Sequence, residues 1–81
     1  MKSVYIKLTT IEDVYSLART LLAFDGEVDL ESGRYTVDGR SLLGIFSLDL
    51  TKPVKLIFHD DNKADELFAR LNKYVVEAPE A

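Results

Sequence analysis

Hydrophobic period changes repeatedly along these 81 residues, and the order of the changes restricts the chain to very few folds. Val4, Ile6 and Leu8 alternate with Tyr5 and Lys7. Successive side chains of a strand point to opposite faces, so this period of two predicts a half-buried strand over 2–8. Ile11, Val14, Tyr15, Ala18, Leu21 and Leu22 then recur at helical spacing. They predict a core-facing helix over 10–23, stopped by Asp25-Gly26. Thr9 and Glu12 stand at capping-box spacing, where hydroxyl and carboxylate satisfy two free N–H groups reciprocally. Period two returns at Val28 and Leu30, breaks at Ser32-Gly33 and resumes at Tyr35 and Val37, the pattern of a hairpin. Ser41 precedes the apolar run Leu42 to Leu48, predicted as a short helix capped by Ser41. After Pro53, Val54, Leu56 and Phe58 alternate with Lys55, Ile57 and His59, a strand over 53–59. Ala64, Leu67, Phe68, Leu71, Tyr74 and Val75 form a second helical stripe over 62–76, with Asp60-Asp61-Asn62 offering N-caps.

The order is βαββαβα, and every strand has one apolar face. Such strands bury that face under helices, so the expected fold class is α+β, a four-stranded antiparallel sheet with three helices on one face. A chain this short buries only about 60 to 65% of its extended surface and has room for one core. We expect a single domain over 1–77 and a frayed tail, 78–81, containing Pro79. Hydrophobic residues at 47% and charged residues at 30% are those of a globular chain. With no Cys, disulfide scaffolds and thiolate zinc sites are excluded, and one His leaves little for a metal; neither metal nor cofactor is expected. Ser3 and Lys7 interrupt the apolar start, which therefore lacks a signal peptide's core, and no run approaches the length of a membrane span. The chain reads as cytoplasmic. Its ten Lys and Arg are dispersed singly under a net charge of −4, which argues against nucleic acid.

No nucleophile–base pair, phosphate loop or ligand cluster is spelled out, so no catalytic residue is assigned and the protein is not expected to be an enzyme. His59 reads as a solvated strand-end side chain, and Asp60 and Asp61 as helix-start acids. Leu42, Leu43, Ile45, Phe46, Leu48 and Leu50 are too many for a two-turn helix to bury against one sheet. Phe46 is expected to be partly exposed, with Leu43 or Ile45 in the core. The exposed remainder is a candidate docking patch, unless Tyr15 or a second copy of the chain covers it.

Residues 27–48 resemble the middle of HPr, the histidine phosphocarrier of the bacterial sugar phosphotransferase system. That family carries a basic residue, Ser, two large apolar residues, Gly, two more apolar residues and Ser-Leu, and Arg40-Ser41-Leu42-Leu43-Gly44-Ile45-Phe46-Ser47-Leu48 reproduces the run. The element order also matches the HPr-like open-faced β-sandwich, without a gap from the first strand to the last helix. HPr accepts phosphate from Enzyme I on a His at the mouth of the first helix. The family's spacing puts that His on Thr10, its Arg on Glu12 and its Pro on Asp13, so the carrier turn is degenerate here. Two carboxylates at that turn repel a phosphoryl group, by about 3 kcal/mol per charge pair at ~5 Å and an effective dielectric of ~20. A phosphothreonine ester also lacks the high-energy N–P bond of a carrier.

The resemblance therefore implies a His-lacking, Crh-like member that acts in regulation. In Crh and Gram-positive HPr proteins the Ser matching Ser41 is phosphorylated, and the product binds a transcription factor. Ser41 becomes the candidate regulatory site, with Arg40, Leu42, Leu43 and Phe46 meeting protein partners, either phosphotransferase-system proteins or a transcriptional regulator. A carrier with a displaced acceptor at His59, and an HPr-like domain binding an unrelated protein, stand as alternatives.

Overall fold

The computed structural model describes residues 2–79; residues 80 and 81 of the expected tail lie outside the described residues. The elements are β1 (Lys2–Ile6), α1 (Ile11–Leu22), β2 (Val28–Ser32), β3 (Tyr35–Asp38), α2 (Leu42–Phe46), β4 (Val54–Phe58), α3 (Asp61–Arg70), a 3-10 turn at Asn72–Tyr74, and β5 (Val75–Val76). The sheet is ordered β3-β2-β4-β1-β5, and every neighbouring pair is antiparallel.

This order follows from where the apolar side chains fall. β4 pairs with β1 through Val4↔Leu56 and Ile6↔Val54, and with β2 through Val28↔Phe58 and Leu30↔Leu56. One face of the three central strands is thereby tiled by Ile6, Val28, Leu30, Val54, Leu56 and Phe58, all buried. Side chains of α1, α2 and α3 complete the same cluster. The opposite face carries Tyr5, Asp29, Glu31, Lys55 and Ile57, all half-buried and outside that cluster. β1 and β2 run parallel with β4 between them, so α1 must cross the slot that β4 fills. α2 crosses β2 between β3 and β4 in the same way, and α3 crosses β1.

The hairpin turns through Gly33-Arg34, with Ser32 opposite Tyr35. Gly33 has φ +58°, the left-handed value that the first position of a two-residue II′ turn requires. Gly39 is needed for a different reason: a Cβ there would lie 2.9 Å from Val28 Cγ1 and 3.0 Å from the Val28 carbonyl.

Several expectations are corrected. The sheet has five strands, not four, because α3 delivers the chain to the open edge of β1, where Val75 and Val76 pair with Ile6 and Tyr5. The helix expected over 62–76 ends at Arg70, and Val75 belongs to the sheet. β1 ends at Ile6 rather than 8, as Lys7 and Leu8 leave the ladder to enter α1. In α1 the buried stripe is Val14, Leu17, Ala18 and Leu21, whereas Ile11, Tyr15 and Leu22 are exposed. Both stripes have helical spacing, and only the packing of α1 across the β4 slot selects between them. Leu17→Ala should accordingly cost about 2–5 kcal/mol in denaturant unfolding, while Leu22→Ala should stay within about 0.5 kcal/mol of wild type.

Candidate functional site

The site lies where the start of α1 meets the end of α2. Thr10 is the N-cap of α1, with extended backbone, and its hydroxyl accepts the Asp13 N–H at 3.1 Å. Asp13 Oδ2 reaches back to the N–H of Thr10 at 3.3 Å, the N–H of Thr9 at 3.0 Å and the Thr9 hydroxyl at 2.9 Å. The capping box is therefore Thr10 with Asp13, not Thr9 with Glu12. Both pairs stand three residues apart, but the Thr9 hydroxyl donates instead of accepting. Glu12 is left on the exposed flank. The Thr9 N–H above all, helped by the Thr9 hydroxyl, holds the Asp13 carboxyl below the usual carboxylate range.

α2 is built around Gly44. Ser41 caps the helix, its hydroxyl accepting the Gly44 N–H at 3.1 Å. A Cβ at position 44 would stand 3.1 Å from both Ser41 Oγ and Val37 Cβ, so any larger residue presses on the cap and on the seat on β3. Asp38 prepares the entry, accepting the Arg40 N–H at 2.9 Å. The Arg40 guanidinium does not face Ser41: it donates to the Phe24 carbonyl and ties α2 to the end of α1.

Within the apolar run, Ile45 and Leu48 are buried, Phe46 is 39% exposed and Leu43 is 84% exposed. Phe46 and Ile45 stand as expected; Leu43 points outward, so Ile45 alone of that pair is core. Leu42 is half-buried against the core cluster. Tyr15 contacts Phe46 edge to face, with centroids 6.1 Å apart, yet leaves it partly open. Between α1 and the segment after α2 is a shallow cavity of about 530 Å³, floored by Leu8, Ile11, Val14, Phe46 and Leu50. Lys7 closes its side, Nζ donating to the carbonyls of Leu8 at 3.2 Å and Leu50 at 3.0 Å. Thr51, which also lines the cavity, donates its hydroxyl and N–H to Asp49, and these hold the Asp49 carboxyl below the usual range.

His59 is elsewhere, following the end of β4, and it is not simply solvated. Its Nε2 lies 2.9 Å from Asp29 Oδ2 with 30% of the side chain exposed. An ionised carboxylate only accepts, so the proton sits on Nε2. Asp29 also stands opposite Asp38 across the hairpin, so its carboxylate has a like-charged neighbour on one side and the His59 ring on the other. Asp60 caps α3 and accepts the Asn62 N–H at 3.0 Å, as a helix-start acid should.

An antiparallel sheet with three helices packed on one face, in this order of elements, is the fold of the HPr phosphocarrier proteins. It is similar to the crystal structure of HPr-C-His from Thermoanaerobacter tengcongensis, with a TM-score of 0.76 and 24% identity over 90% of this chain and 89% of that one. The phosphocarrier protein HPr from Bacillus anthracis str. Ames gives a TM-score of 0.69 and 21% identity over 93% of this chain and 94% of that one. No protein-family model and no curated protein sequence matches the chain. At these identities the likeness is one of fold. Among the described residues no helix is long and apolar enough to cross a membrane.

Because the capping box ties α1 to the strand before it, Thr10→Ala should lower unfolding stability by about 1 kcal/mol, and Thr10→Ser should retain most of it. The Asp13 contribution carries a pH signature. A carboxyl with a depressed folded pKa stabilises fully above its unfolded value and loses that effect as pH falls through the folded value. The difference in Tm between wild type and Asp13→Asn should be constant above about pH 5 and close below about pH 4.

Proposed function

We propose that this protein is a non-enzymatic, HPr-like regulatory module that carries no phosphoryl group and works by docking protein partners through α1 and α2, with Ser41 as its regulatory phosphorylation site. The observation that carries the reading is the turn at the start of α1. A helix N-terminus binds anions through free N–H groups and its dipole. Here the Asp13 carboxylate already holds the Thr9 and Thr10 N–H groups and the Thr10 hydroxyl takes the Asp13 N–H, which sets a fixed negative charge against this end of α1. The family's acceptor imidazole would fall on Thr10, and the single His of the chain is spent on Asp29. Glu12 adds a further negative charge where the family has Arg.

The docking reading is supported by the apolar surface left open beside this turn. Ile11, Tyr15, Leu43 and Phe46 are all more than a third exposed although the core beneath them is filled. An apolar group of this kind on a small domain marks an interaction surface. Leu43 and Phe46 are its anchors, and Leu42 supports them from below. Arg40 acts indirectly, by fixing α2 to α1.

Ser41 is exposed at the head of this surface. A phosphate on its hydroxyl adds a charge of about −1.5 to −2 beside Leu42 and Leu43. Since Arg40 is bound to Phe24, that charge is not neutralised by the neighbouring guanidinium and is offered to a partner.

Two measurements test the proposal. With labelled phosphoenolpyruvate and Enzyme I, no acid-labile phosphate should form on wild type, and Thr10→His should remain poor until Glu12→Arg is added; label on wild type, at His59 or elsewhere, refutes the non-carrier reading. Leu43→Ala should abolish partner capture with a stability change within about 0.5 kcal/mol, and Ser41→Asp should alter capture with the cap intact. Capture of phosphotransferase-system proteins and transcriptional regulators unchanged in both variants would remove the docking role from α2.

A further inference from the structure

The exposed side of α1 has an order that a general apolar patch lacks. Ile11, Tyr15, Ala18 and Leu22 are spaced by four, three and four residues, the seam along which two helices pack. Ala18 is buried among the core side chains, so the open members of the seam are Ile11, 66% exposed, Tyr15, and Leu22, 63% exposed. The seam therefore runs the whole length of α1, well beyond the cavity at its start. α2 follows it back: Gly39, before α2, abuts Leu21 near the end of α1, and Phe46 meets Tyr15 near its beginning.

The charges beside the seam complement each other under a two-fold rotation. Glu12 and Arg19 are both exposed and lie on the same flank of the seam, 140° to 160° around from Val14 at about 100° per residue. Seven residues separate them, about 10.5 Å of rise, so they do not pair within one helix. Neither joins an ion pair or side-chain hydrogen bond among the described residues. If a second α1 is laid antiparallel on the first, with the axis between Tyr15 and Ala18, Ile11 meets the copy's Leu22. The two copies' Tyr15 residues then lie on either side of the axis, about 4.5 Å apart in rise. Because the axis keeps each flank facing the same flank, Glu12 comes within about 3 Å of axial register with the copy's Arg19. The contact is made twice, as an isologous interface demands.

We infer that the exposed seam of α1 is a self-association surface, on which a second copy of this chain packs α1 antiparallel and pairs Glu12 with the copy's Arg19. The dimer covers part of the surface assigned above to partners, so self-association and docking compete. The inference shares that surface with the proposed function but does not depend on any partner existing. Few large side chains take part, which places the association among weak, reversible interfaces.

The test is a charge swap read by sedimentation over about 10 μM to 1 mM protein. Wild type should pass from monomer to dimer in this range. Glu12→Arg and Arg19→Glu each turn two attractive contacts into two repulsive ones, and each should weaken dimerisation by about tenfold or more. An equimolar mixture of the two variants should recover it, because the guanidinium introduced in one chain then meets the carboxylate introduced in the other. Leu22→Asp should give a monomer that is still folded by circular dichroism, since Leu22 is exposed. A wild type that stays monomeric at the highest concentration overturns the inference. So does a dimer indifferent to the single reversals, or a mixture that fails to recover. Partner capture measured at low micromolar concentration, where the chain is monomeric, judges the docking reading separately.

Discussion

Everything in this molecule depends on β4 lying between β1 and β2. Val54, Leu56 and Phe58 are nearly or wholly inaccessible, and their cross-strand neighbours Ile6, Val4, Leu30 and Val28 come from segments far earlier in the chain. At about 25 cal/mol per Å² of apolar surface removed from water, this face together with the helices over it is the main source of stability for a domain with little margin. The slot also dictates the helices. β1 and β2 cannot pair with each other once β4 separates them, so α1 has to span the gap and buries Val14, Leu17 and Leu21 in doing so. Phe24 extends the same packing, edge-on to Phe58 at 6.4 Å, with the Arg70 guanidinium 5.2 Å from its ring centre.

The functional surface is a by-product of that geometry, sharpened by polar ties. α1 has more apolar side chains than one contact with the sheet can hide, and α2 is too short to hide the surplus. Lys7, Arg40 and Asp38 hold the connecting segments in place through backbone carbonyls and N–H groups, which leaves the apolar side chains facing outward on a rigid frame. The first turn of α1 is closed in the same manner. A box that sets the Asp13 carboxylate at the helix start stabilises the helix and repels an anion, and both consequences follow from Asp13 standing three residues after Thr10.

The proposed use of this surface, by a second copy or by a foreign partner, would give the protein a concentration-dependent state without any change of fold. A phosphate on Ser41, as proposed, would act at one end of this surface, and the Glu12–Arg19 complementarity lies along its other side. The two influences are physically separate: one adds charge to α2, the other depends on the flank of α1. On the proposed reading, a partner that needs Leu43 and Phe46 would meet the Ser41 charge directly and compete with the second copy along α1.

The order and kind of the first seven elements were readable from the sequence because hydrophobic period is a local property. So were the Gly33 turn, the Ser41 cap and the partial exposure of Phe46, whereas the core member of the pair Leu43 and Ile45 stayed open. Local pattern was ambiguous wherever two choices share the same spacing. Thr9 with Glu12 and Thr10 with Asp13 are both three apart, and Ile11–Tyr15–Leu22 is as helical as Val14–Leu17–Leu21. Only packing across the β4 slot decided which stripe of α1 is core and which is left in water. The β5 strand needed tertiary structure for a related reason: two residues carry no measurable period, and Val75 and Val76 pair only because α3 brings them to an unfilled edge. His59 looked solvated until the register of β2 against β4 set Asp29 beside it. The sequence by itself determined what each segment is; which faces meet, and so which apolar residues remain to bind something else, was decided by how the segments cross.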